Sequence, residues 1–159
     1  MALEIDFESA HEMPISQLRE FAARQADGEA MDPDGGLYFR TPGMDVTPFV
    51  IDAGRLSEEE DRHAAKAGFR RRVFVNFRSR DRATDAESLA AWVMMLNFAL
   101  EFLRRYPDDA LLVYNGERVL MRCRDKEIVF DSWDGFDDEP GLEAIVSRYP
   151  RENLAQPFL

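Results

Sequence analysis

The densest group of chemically active side chains lies between residues 131 and 143. Six carboxylates and no basic residue occur there: Asp131, Asp134, Asp137, Asp138, Glu139 and Glu143. Clustered carboxylate oxygens can hold a divalent cation, so a metal-dependent enzyme that uses the 131–139 cluster is one alternative. The spacing departs from the 1-3-5 pattern, with glycine at the sixth position, that a calcium loop requires. We therefore expect no metal site, and a solvated acidic loop is the simplest interpretation.

Two large aromatic residues, Trp133 and Phe136, stand among these carboxylates. Aromatic side chains ringed by charge in a surface loop are typical of protein-interaction hot spots. They are equally typical of plugs that close the open end of a core, and the residues alone leave both alternatives open. If the loop binds another protein, the predicted contact residues are Trp133, Asp134, Phe136, Asp137, Asp138 and Glu139, joined by Glu59 and Glu60 from a second acidic segment.

The rest of the sequence gives no catalytic pattern. Its two histidines, His11 and His63, belong to no HExxH or similar motif, and both are expected to be solvated. Cys123 lies inside a strand pattern, where a cysteine is more often a small buried filler than an activated thiolate. We expect no catalytic residue, no cofactor and no enzymatic activity.

Arginine is concentrated in one short stretch. Between residues 69 and 82 there are six arginines against one acid, Asp81: Arg70, Arg71, Arg72, Arg78, Arg80 and Arg82. Arginines interleaved with Phe74 and Phe77 could follow a nucleic-acid backbone. The formal net charge of −11 argues against that partner, because non-specific binding depends on a broadly positive surface. Ion pairs within the chain are favoured for these arginines, and a basic protein is favoured as an external partner.

The strands that would position these residues follow from period-2 patterns. Residues 3–8 alternate apolar and acidic side chains, which predicts a first strand with one solvated face. Residues 71–78 are apolar on both faces at their centre, as in a strand in the middle of a sheet. Val46–Ile51 is predicted to be an edge strand at best, because Pro48 has no N–H to donate. A weak homodimer through this edge is a further hypothesis.

Helix signals are strongest in the middle of the chain. Residues 89–103 are apolar almost all the way round a helix, which Thr84 and Glu87 begin as a capping box and Pro107 ends. An amphipathic helix is predicted after Pro14, a short exposed helix over 57–67, and a final helix over 141–147.

The turns complete the fold prediction. Asn115-Gly116 is a type I′ hairpin signal, and Asp125-Lys126 returns the chain again, which gives a three-stranded meander. A helix without a polar face must be covered by the sheet that follows it. The sequence therefore predicts one α+β domain over residues 1–159. We expect a mostly antiparallel sheet, packed together with a long, nearly all-apolar helix and the C-terminal meander.

Composition indicates the compartment. Asn97 and Glu101 break the long apolar run before it reaches the roughly 20 residues needed to cross a bilayer. We therefore expect a buried helix and no membrane partner. A single cysteine and a start without a basic or apolar leader favour a cytoplasmic location.

Several segments together resemble a known family. The start MALEID precedes the helix after Pro14, and VFVNFR at 73–78 precedes the long helix. FLRRYPDDA at 102–110 then runs into VYNGE at 113–117, with Trp133 beyond. In this order the chain resembles the swarming-inhibition (Sit-type) immunity proteins of bacterial polymorphic toxin systems.

The resemblance implies a small cytoplasmic protein that binds and neutralises a cognate toxin, and it supplies no catalytic residues. Assigning the toxin contacts to the acidic loop and to Glu59 and Glu60 is an inference from composition. A non-catalytic adaptor or scaffold for another protein would use the same surfaces and remains an alternative.

Overall fold

Nine strands form one sheet in a computed structural model of the chain, which describes residues 2–52, 54 and 57–159. They are β1 (Glu4–Ser9), β2 (Glu29–Met31), β3 (Tyr38–Arg40), β4 (Met44–Val50), β5 (Val73–Ser79), β6 (Ala110–Tyr114), β7 (Arg118–Arg124), β8 (Glu127–Asp131) and β9 (Arg151–Glu152). Their order in the sheet is β2-β3-β4-β5-β1-β6-β7-β8-β9. Among the strand pairs of the described residues, only the short β8–β9 pair is parallel. The predicted α+β class with a mostly antiparallel sheet is confirmed.

Four α-helices accompany the sheet within the described part of the chain: α1 (Ile15–Ala26), α2 (Glu58–Ala67), α3 (Asp85–Arg105) and α4 (Pro140–Val146). Single 3-10 turns lie at Pro33–Gly35 and Asp134–Phe136. Helices α1, α3 and α4 share a hydrophobic core with one side of the sheet, which we call the core face. Helix α2 packs on the other side, the opposite face, through Ala67.

Phenylalanine rings fix the two long helices on the core face. Phe98 of α3 lies between Phe21 of α1 and Phe77 of β5, with ring centroids 5.0 and 5.1 Å away in edge-to-face geometry. Phe102, one helical turn later, meets Phe7 of the central strand at 5.1 Å. All five rings are at most 2% exposed. Edge-to-face contacts add to the free energy gained by burying these rings, so α1, α3 and the sheet form one packed unit.

The long helix begins and ends where the sequence predicts. Thr84 accepts a hydrogen bond from the Glu87 N–H at 3.1 Å, and the Glu87 carboxylate accepts one from the Thr84 N–H at 3.0 Å. By length and composition α3 could cross a membrane, but the core helix of a soluble protein meets the same criteria. Seven of its side chains, including Met95 and Leu103, are buried against the protein core.

The C-terminal meander is also confirmed. Asn115 and Gly116 have φ values of 50° and 71°, and Asp125 and Lys126 have values of 52° and 65°. The central residues of both turns therefore adopt the left-handed backbone that a tight hairpin requires, and Glu117 adds a third residue to the connection between β6 and β7. Strands β6, β7 and β8 are joined in sequence order by these turns.

Strand β4 is an edge over only part of its length. It pairs with β5 from Met44 to Val50, whereas β3 reaches it only at Asp45 and Val46. The Ile51 N–H donates to Arg72 on the β5 side, so in an antiparallel ladder the Pro48 nitrogen faces the open side. The edge prediction for Val46–Ile51 is wrong at Val46, which pairs with β3, and correct for the residues from Thr47 onwards, which include Pro48. The homodimer through this edge stays a prediction.

Strand β1 corrects a second expectation. It lies between β5 and β6 at the centre of the sheet. Its acidic side, predicted to be solvated, is partly covered by α2, and Glu8 is only 2% exposed. The alternation of residue types identified the strand, but it did not reveal the helix that packs over the acidic side.

Candidate functional site

The acidic loop, residues 131–139, does not present all of its carboxylates to solvent. Asp131 is 2% exposed, and its carboxylate accepts hydrogen bonds from Arg118 Nη2 at 2.8 Å and from the Leu154 N–H at 3.0 Å. A buried charge that is paired in this way holds the C-terminal segment to β7 and β8. Asp131 therefore has a structural role, separate from the exposed acids that follow it.

Arg151 anchors the rest of the loop. Its guanidinium donates to the Asp137 carboxylate at 2.6 Å and to the Trp133 carbonyl at 3.0 Å. Charge-assisted hydrogen bonds of this length are among the stronger ones in proteins. The loop is consequently tied to β9 at two points, which fixes the position of Trp133.

Phe136 is part of the core. Its ring is fully buried and packs edge-to-face against Phe130 at 5.7 Å and Trp133 at 5.1 Å. From this position it cannot touch a partner. Of the two alternatives for Phe136, the structure shows the plug, so the expectation of an exposed contact residue is corrected.

Trp133 is half-buried and belongs to an aromatic group. Its ring stacks on Trp92 of α3 at 5.9 Å and lies 5.5 Å from Tyr114 of β6. A Cβ atom added to Gly135 would stand 2.5 Å from the Trp133 ring. The glycine therefore allows the ring to lie close over the loop backbone, which a side chain at that position would prevent.

The three rings form the floor of a cavity of about 350 Å³, which we call the aromatic groove. It is lined by Leu3, Asp85, Ser88, Leu89, Trp92, Tyr114, Trp133, Gly135, Glu139 and Leu142. These ten described residues include two acids and no base. Next to the groove, Asp134 and Asp138 are exposed, as is Glu139 itself. The structure thus places a half-exposed aromatic surface beside a cluster of solvated carboxylates.

The other predicted contact residues lie elsewhere. Glu59 is exposed on α2, and Glu60 is held by Arg71, whose Nη2 and Nε atoms donate to its carboxylate at 2.7 and 3.1 Å. These hydrogen bonds lower the pKa of Glu60. Because α2 covers the opposite face of the sheet and Trp133 packs on the core face, the structure does not bring Glu59 and Glu60 together with the acidic loop.

Glu8, His63 and Arg71 form a buried network of polar contacts under α2, which no sequence pattern predicts. The Glu8 carboxylate bonds Arg71 Nη1 at 2.8 Å and His63 Nε2 at 2.6 Å. His63 also stacks on Phe158 at 5.1 Å. His11 is similarly engaged, with Nδ1 2.7 Å from the Asp108 carboxylate. The expectation of two solvated histidines is wrong, because each imidazole has a carboxylate partner from a distant part of the chain.

Asp6, two residues before Glu8, lies on the same side of β1. It accepts a hydrogen bond from Asn76 Nδ2 at 2.8 Å. Burial nevertheless raises the pKa of Asp6 to about 6, and the neighbouring Glu8 and Glu4 carboxylates act in the same direction. Loss of hydration disfavours the charged form of a carboxyl group, and like charges nearby add to the effect.

Arginines of the stretch 69–82 form ion pairs and hydrogen bonds with other parts of the chain. Arg70 pairs with Asp61, Arg71 with Glu8 and Glu60, and the Arg80 guanidinium donates to the Thr41 carbonyl at 2.9 Å. Arg78 lies 3.8 Å from Glu4. The prediction of ion pairs within the chain is confirmed for Arg70, Arg71 and Arg78.

The metal and thiol alternatives have no geometric support. Within the described ranges, no three His, Cys, Asp or Glu side chains are close enough together to hold a metal ion. Asp131 and Asp137 instead bind different arginines. Cys123 is 2% exposed, and burial raises the pKa of its thiol to about 11, so the thiol stays protonated at neutral pH.

Comparison with known proteins gives one family. The family model described as SitI3-like matches residues 3–140, which include the whole acidic loop and every residue that lines the aromatic groove except Leu142. None of the curated proteins matches the chain, and none of the solved structures does.

Proposed function

Since the chain belongs to the SitI3-like family, we propose that it is an immunity protein that binds a cognate toxin and neutralises it. The observation that carries this proposal is the family match over residues 3–140. The match agrees with the resemblance to Sit-type immunity proteins that the sequence motifs indicate. The chemistry of the acidic loop is compatible with binding a basic protein surface.

The proposed mechanism is occlusion. The exposed carboxylates of Asp134, Asp138 and Glu139 attract a basic surface of the toxin, and the half-exposed Trp133 then packs against it. Electrostatic attraction speeds the encounter, whereas buried aromatic contacts slow dissociation. Because Arg151 holds the loop in place, little conformational entropy is lost when the complex forms. The toxin site is then covered and cannot reach its substrate.

We further propose that the protein acts in the cytoplasm and breaks no bond itself. The buried, protonated thiol of Cys123 fits a role without nucleophilic chemistry. An adaptor that binds a protein other than a toxin is the second candidate, since the same acidic loop would serve it.

Co-expression tests the proposal. Cells that produce the toxin encoded beside this protein's gene should survive when the full chain is co-expressed, and the two proteins should elute together in size-exclusion chromatography. A charge-reversal variant of the loop, with Asp134, Asp138 and Glu139 changed to Lys, should lose protection.

The matched control reverses three exposed acids outside the acidic loop and the groove lining, Glu12, Glu20 and Asp32, and should protect like the wild type. Both variants change the net charge equally. Failure of the wild type to protect would contradict the immunity function. A stable complex with another protein, without any protection, would favour the adaptor.

A further inference from the structure

We infer that the aromatic groove binds an arginine side chain of the partner protein. The inference rests on the proposed function, because it takes the partner to be a toxin with a basic surface. It goes further in assigning the chemical group that the groove accepts. Three observations carry it: the arrangement of the rings, the charges at the rim, and the size of the cavity.

The rings form one aromatic cluster that water still reaches. Trp92, Tyr114 and Trp133 lie within 6.2 Å of one another, and the planes of the two indoles are inclined by only 30°. All three are half-buried. A planar guanidinium stacks well on such surfaces, since the negative face of an aromatic ring attracts a cation.

Acidic residues of the groove supply negative charge, opposite to that of a guanidinium. Asp85 and Glu139 line the groove, and the Glu139 side chain makes no capping hydrogen bond to α4. A carboxylate in this position can accept the paired N–H groups of a guanidinium while the rings contact its face. None of the described lining residues is a base that could neutralise these acids from within the chain.

The size of the cavity limits the occupant. A volume of about 350 Å³ is at the lower end of the range for small-molecule sites. It suits one long side chain rather than a helix. Arginine fits all three features, because it is cationic, planar at its tip and long enough to reach into a recess.

Fluorescence can test the groove directly. The sequence has two tryptophans, and both line the groove, so intrinsic tryptophan emission reports on this site alone. The full chain is titrated with the peptide acetyl-Gly-Arg-Gly-amide. The control peptide has citrulline, which has nearly the same shape without the charge, and a third peptide has lysine. We expect a saturable change in emission with the arginine peptide and roughly tenfold weaker binding of the citrulline peptide.

Two variants provide a matched pair. Glu139→Gln removes a carboxylate that lines the groove just before α4, whereas Glu143→Gln removes an exposed carboxylate within α4 that does not line the groove. We expect Glu139→Gln to weaken arginine-peptide binding by roughly three- to tenfold and Glu143→Gln to leave it unchanged. Equal affinity for the arginine and citrulline peptides, equal effects of the two variants, or tighter binding of the lysine peptide would overturn the assignment.

The same variants separate this inference from the proposed function. If the toxin binds wild type, Glu139→Gln and Glu143→Gln equally well, the groove has no role in the complex and the inference fails, while the immunity function stands. If no toxin complex forms but the arginine peptide still binds selectively, the immunity function fails and the chemistry of the groove is supported.

Discussion

Individual residues on the acidic side of β1 differ more in environment than their alternating pattern indicates. Glu4 is exposed, Asp6 is partly buried with a raised pKa, and Glu8 is buried and paired with His63 and Arg71. Burying a carboxylate is tolerated when a cationic partner and further hydrogen bonds surround it, as Arg71 and His63 do for Glu8. Asp6 has only the Asn76 amide as a direct partner among the described hydrogen bonds, so its charge is the less well stabilised.

Asp6→Asn should stabilise the protein at neutral pH. The pKa of Asp6 is about 6 in the folded state, against 3.8 for an unperturbed aspartate. Ionisation therefore costs stability: the contribution is fully present below pH 3.8 and is lost as the pH rises through 6. Asparagine keeps an acceptor for Asn76 and removes the charge. We expect the free energy of unfolding at pH 7 to rise by about 1–2 kcal/mol.

Urea unfolding of wild type and variant between pH 3.5 and 8 measures this effect. The two curves should converge at the acid end of the range, separate as the pH rises from about 4 to 6, and stay a constant distance apart above that. Glu4→Gln is the control, because Glu4 is exposed and its distance to Arg78 is 3.8 Å. A constant difference between Asp6→Asn and wild type at every pH would show that ionisation is not the cause.

At the scale of elements, the sequence predicts correctly those features that depend on contacts between neighbouring residues. The capping box of α3 and the two tight turns of the meander involve neighbouring residues, and all appear as expected. Strands β2 and β9 were missed, because three- and two-residue strands have no measurable periodicity. The sequence does not show whether Phe136 is buried or exposed, since its contacts with Phe130 and Trp133 depend on how the loop folds back.

The position of α2 shows the same limit. Ser57 accepts the Glu60 N–H at 3.1 Å, so the start of the helix was predictable from spacing. Its place over β1 was not, because it depends on the long-range pairs of Glu8 with His63 and of Glu60 with Arg71. A helix rich in charge can thus cover a sheet when the strands below it carry matching charges.

Arg71→Met tests whether this network holds α2. The substitution keeps an apolar side chain but leaves the buried Glu8 with His63 as its remaining partner. Breaking a buried ion pair from one side is costly, and we expect a loss of about 2–4 kcal/mol in the free energy of unfolding. Hydrogen exchange should accelerate over α2 more than over α3.

Arg70→Met serves as the matched control. Its partner Asp61 is largely exposed, so the loss should stay below about 1 kcal/mol. Equal destabilisation by the two substitutions would mean that burial of the network contributes nothing to the position of α2.

For the whole molecule, the proposed binding of a toxin depends on both net charge and aromatic contact. The chain carries a formal net charge of −11, which attracts a basic partner over a distance limited by salt. In the proposed complex, the aromatic groove would contribute only after contact. The two contributions should therefore appear in different rate constants for the proposed toxin complex.

Trp133→Ala should weaken toxin binding by more than about 1 kcal/mol, chiefly through faster dissociation, because it removes a ring that packs against the partner. The ring also packs on Trp92 and Tyr114, so the variant loses stability as well, and Trp133→Phe is the control that keeps an aromatic group there.

Raising the salt concentration should instead slow association of wild type and both variants alike. Surface plasmon resonance resolves the two rates. A dissociation rate that Trp133→Ala leaves unchanged would place the acidic loop outside the interface, whereas an association rate insensitive to salt would remove electrostatic attraction from the mechanism.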